Sequence, residues 1–247
     1  MGEWWNDLHP GEREIADDGT PLNQSYASTA WREQAKAYLR AFAAHLDAIG
    51  LADRVFAWQV EAGVCGEWIK NVTSMTRRCG DFSGPMRRHF RAWLRERYGG
   101  DAAALAAAWD APGTTFDTAE VPPGDLQRST TLLHFRDPAR EQRVVDYHRC
   151  LAELSADCVV DFCAAVKEAT GRRALAGAFY GYLTELSWND NFFGTAQEPD
   201  WGTHQRSGHL GLARVLASPD VDFIVSPYSY PFRGVGGDGL PMPPSEA

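Results

Sequence analysis

This chain has little that would carry it into a membrane or onto a nucleic acid. No run approaches the roughly 18 apolar residues of a membrane span, and the opening MGEWWNDLHPGE lacks the basic and apolar regions of a signal peptide. The expectation for the chain as given is a soluble, cytoplasmic bacterial protein. Positive charge is short: 24 Lys and Arg stand against 33 Asp and Glu, a net charge of −9. That excludes a phosphate-backbone partner and an anionic membrane surface, both of which need clustered cations. The arginines that do cluster (Arg87, Arg88, Arg91, Arg95, Arg97) alternate with apolar residues and read as the solvated face of a helix.

Paired cysteine motifs are also missing. Cys65, Cys79, Cys150, Cys158 and Cys163 are odd in number and lack CxxC spacing, which argues against a disulfide framework or a complete zinc site. No metal and no other cofactor is expected. Cys158 and Cys163 read as small core residues on a helix. The sequons at Asn23 and Asn71 recur too readily by chance to fix a compartment.

What is present is a chain of 247 residues, 44% hydrophobic and 23% charged, enough for one large α/β domain over residues 1–247. Helical periodicity runs from Ser28 to Ile49 with Gly50 as a stop, from about Pro85 to Tyr98, and from Asp101 to Trp109; a long helix opens at Asp137-Pro138. A Pro, Gly and Thr-rich loop covers Ala111 to Asp125, and a short helix is expected over Gln205 to Ala217. Strands are expected at Arg54 to Val60, Ala174 to Tyr180 and Val221 to Ser226. Strands separated by helices imply parallel βαβ crossovers. The architecture expected is a partial (β/α)8 barrel: middle strands and helices, with a helical insertion between Asn71 and Asp137. Pro241 to Ala247 adds no closing element, which reads as a barrel cut before its last strands.

The segment RVFAWQVEAGVCGEW, Arg54 to Trp68, carries the chemistry. Its apolar run is the pattern of a parallel strand covered on both faces, and Gly63 and Gly66 break it. Carboxylates beyond the carboxyl end of such a strand sit where α/β barrels build active sites, which singles out Glu61 and Glu67. Glu67 is the preferred acid, because an apolar wall at Trp68 raises a carboxyl pKa; its bland role is a first-turn Glu. Glu61 is less favoured; its bland role is a hydrogen-bonded rim carboxylate that orients Gln59 or a ligand hydroxyl. Aromatic residues follow the next two strands: Tyr180, Tyr182, Trp188, Phe192, Phe193, Trp201, Tyr228 and Tyr230 cluster in segments too polar to be pure core and are candidate walls of a ligand subsite, loop packing being the likelier reading for any single ring. Asn189, Asp190, Asn191, His204 and His209 could bind ligand hydroxyls, a lone His being more often simply hydrogen-bonded, and no HxxxH spacing supports a metal.

The stretch FRAWLRERYGGDAAALAAAWDAPGTTFDTAEVPP, Phe90 to Pro123, resembles the block that follows the acid/base strand in glycoside hydrolase family 42 β-galactosidases. The opening EWW and HPGE, SYAS before Trp31-Arg32, GAFYGYL at Gly177 and SPDVDFIVSPYSY at Ser218 are similar to segments of the same group. The resemblance implies a retaining (β/α)8 glycosidase acting on β-galactoside-like bonds in oligosaccharides or glycans, with an acid/base and a nucleophile about 5 Å apart. It also implies a homo-oligomer. The pattern departs where that clan has Asn-Glu: here stand Ala62 and Gly63, so Glu67 or Glu61 must serve. Glu246 lies one strand too early for the nucleophile. Cys79 resembles the last cysteine of a zinc cluster whose partners are missing. The alternatives are a noncatalytic carbohydrate-binding barrel and, less favoured, a lyase, since neither Lys70 nor Lys167 is placed for Schiff-base chemistry.

Overall fold

The computed structural model describes residues 3–63, 66–70, 78–132, 135–183 and 203–226. Local signals set most of the helix ends. The Ser28 side chain accepts from the Trp31 N–H and opens α2, Thr29–Ala48. Ser83 does the same for α3, Gly84–Arg97, from the Met86 N–H, and Asp101 caps α4, Ala102–Ala108. Asp137 accepts from Ala139 and, with Pro138 as the first residue, starts the 32-residue α6, Pro138–Ala169. Such caps satisfy N–H groups that the helix itself cannot. Before α2 come a short helix, α1 (Glu3–Leu8), and an antiparallel hairpin of β1 (Arg13–Ile15) with β2 (Pro21–Gln24). The hairpin was not foreseen, because strands of three and four residues are too short to show a period-2 pattern.

Three parallel strands form the sheet in the order β3 (Ala57–Gln59), β4 (Leu175–Phe179), β5 (Phe223–Val225). β4 is central and small: a Cβ on Gly177 would sit 2.2 Å from the Phe223 carbonyl oxygen. Ala176 and Ala178 are fully buried, and the stripe of α6 packs over this strand. α2 packs along α6, with Trp31 5.3 Å from Phe162, ring to ring. The four free cysteines described are buried; burial pushes the thiols of Cys158 and Cys163 up to about 12.

Several expectations need correction. The strand expected over Arg54 to Val60 is only three residues long, preceded by a 3₁₀ turn at Ala52–Arg54, and Phe56 is 79% exposed. Among the described residues β3 is the last strand of its sheet, so no further βα unit covers its outer side. The expected helix at 205–217 is broken by Gly208, whose φ of 86° is left-handed. It resolves into α7 (Thr203–Arg206), a 3₁₀ turn at His209–Gly211 and α8 (Leu212–Leu216). The loop read at Ala111 to Asp125 runs into a short α5, Gly124–Arg128. Among the described residues, no helix is long and apolar enough to cross a membrane, and no group of three or more His, Cys, Asp or Glu side chains could hold a metal.

Candidate functional site

Beyond β3 the chain folds back on itself. The Trp68 N–H donates to the Ala62 carbonyl at 2.7 Å, and the indole Nε1 donates to the Val60 carbonyl at 2.9 Å. Both glycines of this turn have left-handed φ, 73° at Gly63 and 78° at Gly66. Neither has room for a side chain. A Cβ on Gly63 would meet the Tyr26 hydroxyl at 2.5 Å, and one on Gly66 would meet Glu61 Oε2 at 2.9 Å. Gly66 therefore lets the Glu61 carboxylate lie over the turn, where Gln59 Nε2 donates to its Oε1 at 2.8 Å.

Glu61 and Gln59 open into a cavity of 390 Å³ at the carboxyl end of β3. Its polar wall is Asn6, Asn23 and Gln24 from α1 and β2; its aromatic wall is Trp31 and Tyr38 of α2 with Phe162 of α6. Tyr38 is 60% exposed and stacks on Phe42, so its ring is available at the rim. A larger hollow of 770 Å³ lies at the opposite end, against Val55, Phe56, Arg173 and Ala174 at the starts of β3 and β4. In α/β barrels that amino-terminal face serves stability while chemistry gathers at the carboxyl ends of the strands, which selects the smaller cavity.

Other residues singled out in the sequence fall elsewhere. Glu67 is half-buried, is bridged to Ala62 through its backbone, and among the described residues is not in the lining of the cavity. Trp68 is 0% exposed; its ring packs against Tyr26 and Phe162 in the core, so it is not an open wall beside Glu67. Tyr180 and Tyr182 are buried too, because the turn at His209 covers them. The Tyr180 hydroxyl donates to the Gly208 carbonyl at 2.7 Å, and the His209 ring lies 4.8 Å from Tyr180 and 4.6 Å from Tyr182. Trp188, Asn189, Asp190, Asn191, Phe192, Phe193, Trp201, Tyr228, Tyr230, Glu246 and Cys65 lie outside the described residues. Asn6, Asn23, Gln24, Trp31 and Phe162 were missed: they come from separate elements, and no spacing along the chain links them.

His209 behaves as a structural neutral histidine. Its Nδ1 accepts from the N–H groups of Gly181 (3.1 Å) and Tyr182 (3.2 Å), so the proton sits on Nε2. Burial pushes its pKa down from 6.5 to about 4, against the opposing pull of the Glu67 and Trp68 backbone. Between those values the unfolded chain binds a proton that the folded chain refuses, so stability falls as pH drops from about 6.5 to 4. The full difference is about 3 kcal/mol. His209→Gln is expected to flatten the part of the stability-pH curve between pH 6.5 and 4, measured by urea unfolding; an unchanged slope would assign it elsewhere, His89 being similarly lowered to about 4 by burial.

No family model matches this chain, and no curated protein sequence matches it. Solved structures do. A β-galactosidase from the psychrophilic Marinomonas ef1 superposes with a TM-score of 0.53 at 20% identity, over 74% of this chain and 26% of its own. A catalytic mutant of a GH42 β-galactosidase from G. stearothermophilus gives 0.53 at 16%, over 73% and 24%. The catalytic domain of a β-amylase from Paenibacillus polymyxa gives 0.69 at 15%, over 98% and 59%. The chain thus spans about a quarter of the length of these β-galactosidases and 59% of the β-amylase domain. These likenesses show the fold, that of part of a (β/α) barrel: α/β, with five strands and no closed barrel among the described residues.

Proposed function

We propose that this chain handles carbohydrate at the carboxyl end of β3, as part of a retaining glycosidase related to the family 42 β-galactosidases, with Glu61 as the carboxylate that works on the sugar. The observation that carries this reading is the cavity itself: a carboxylate held by Gln59 beyond a parallel strand, between amide side chains and aromatic rings. Amides pair with hydroxyls without demanding charge, and rings pack on the C–H faces of a sugar. Gln59 occupies one oxygen of Glu61, which leaves Oε2 to face a glycosidic oxygen or a ring hydroxyl. The attacking carboxylate of a retaining pair would come from residues outside those described. A noncatalytic sugar-binding role is the second reading. It is favoured by one fact: Glu61 is the single carboxylate in the cavity lining among the described residues.

Both readings specify the charge of the ligand. Among the described residues the lining holds no Lys, Arg or His, and Glu61 repels anions. Methyl β-D-galactoside is expected to bind the full chain in a calorimetric titration, and the matching uronate or 6-phosphate to bind at least about tenfold more weakly. No binding of any neutral sugar, or tighter binding of the anions, would sink the carbohydrate reading.

A further inference from the structure

The cavity continues onto the outer surface of α2. Tyr38 lines it and is 60% exposed; Phe42, one helical turn further on, is 43% exposed. A spacing of four residues puts both rings on one side of the helix. They are nearly parallel, with 7° between their planes and 6.3 Å between their centroids. Rings offset that far overlap little, so much of their flat surface stays open. Trp58 of β3 meets the Phe42 ring edge to face, at 5.5 Å and 76°, which fixes that ring without covering it. Single apolar side chains on a surface need no function, but two large rings held parallel at the mouth of a cavity form a continuous ridge. The charges on this stretch of α2 are neutralised within the chain: Lys36 pairs with Glu33 at 2.7 Å and Arg40 with Glu168 at 2.8 Å. The ridge therefore offers flat apolar faces flanked by paired charges, and it leads out of a cavity walled by neutral amides beside Glu61.

We infer that Tyr38 and Phe42 form the platform for a second ring of a neutral oligosaccharide whose first ring occupies the cavity. The inference rests on the carbohydrate reading above and adds the length of the ligand to it. A cavity of 390 Å³ is near the small end for ligand pockets, about 300 to 1,000 Å³, which suits a single sugar ring. A longer saccharide has to leave across the rim, where Tyr38 stands with Phe42 next in line. Continuity with the cavity selects a saccharide, rather than a second copy of the chain, as the occupant of the ridge.

The test is a calorimetric comparison, on the full chain, of methyl β-D-galactoside with a set of methyl β-galactobiosides that differ in linkage. At least one disaccharide should bind wild type about tenfold more tightly than the monosaccharide. Phe42→Ala should bring that ratio close to one. Phe42→Leu should do the same, since it keeps an apolar side chain but no flat face, and Phe42→Tyr should restore the gain. Rescue by a ring and not by an aliphatic chain separates stacking from a packing role. Where the alanine variant does not fold, the leucine and tyrosine variants carry the comparison. A ratio preserved in Phe42→Leu overturns the platform, and so does a wild-type dimer that Phe42→Leu converts to monomer in sedimentation, because a second copy then covers the ridge. If wild type binds the monosaccharide and gains nothing from a second ring in any linkage, the platform alone is wrong and the cavity reading stands. If wild type binds no neutral sugar, the carbohydrate reading falls and the platform with it.

Discussion

Glu61→Gln is expected to lower kcat/KM on an aryl β-galactoside by about 10² to 10⁴-fold while leaving the affinity for methyl β-D-galactoside nearly intact. The geometry explains the split. A glutamine keeps the side-chain oxygen that Gln59 Nε2 holds at 2.8 Å, so the shape of the cavity survives; what is lost is the ionisable proton. Glu67→Gln is the companion measurement. Among the described residues Glu67 is outside the lining of the cavity, so turnover should change little. The reverse pattern, with Glu67→Gln silent in binding but inactive and Glu61→Gln fully active, would return the acid to the position preferred from sequence alone. If both variants hydrolyse normally, the noncatalytic reading of the cavity is the better account.

Asp146→Ala should cost about 3 to 5 kcal/mol of stability, a large share of the 5 to 15 kcal/mol typical of a domain. Asp146 is 0% exposed and accepts four hydrogen bonds. Arg97 Nε donates at 3.1 Å, the Tyr98 hydroxyl at 2.6 Å, Trp109 Nε1 at 2.8 Å and Gln142 Nε2 at 2.8 Å. One carboxylate thus ties the end of α3 and the residue that closes α4 onto α6. Removing it orphans several donors together, one of them the Arg97 cation, which is why the loss exceeds that of an ordinary hydrogen bond. Urea unfolding monitored by tryptophan fluorescence reads the cost directly. Asp146→Asn keeps an acceptor oxygen and should lie between Ala and wild type. A loss below about 1 kcal/mol for the alanine variant would show that these donors find other partners or water. Sugar binding below the unfolding transition should be unaffected, since Asp146 is outside the cavity lining.

Legibility in the sequence followed the range of the interactions. Ser28, Ser83, Asp101 and Asp137 mark helix starts because the group each caps is two or three residues away, and the three parallel strands are where the apolar runs place them. The side-chain directions around the turn after β3 were not legible. Trp68 and Glu67 are adjacent, but Trp68 sits at a left-handed φ of 59°, and its ring goes to the core while Glu67 stays half-buried. Tyr180 and Tyr182 follow a strand, as polar-tipped rings of a subsite would, but the left-handed turn at Gly208 brings His209 over them.

The sequence by itself therefore determined the α/β class, the helix starts, the parallel strands and the presence of a carboxylate-bearing turn beyond β3, since caps, periodicity and glycine turns act within a few residues. Only the tertiary structure decided which carboxylate faces a cavity, and that Asn6, Asn23, Gln24, Trp31 and Phe162 share that cavity with Glu61. That choice depends on how α1, β2, α2 and α6 pack around the end of one strand, and packing between elements distant along the chain leaves no periodic trace in it.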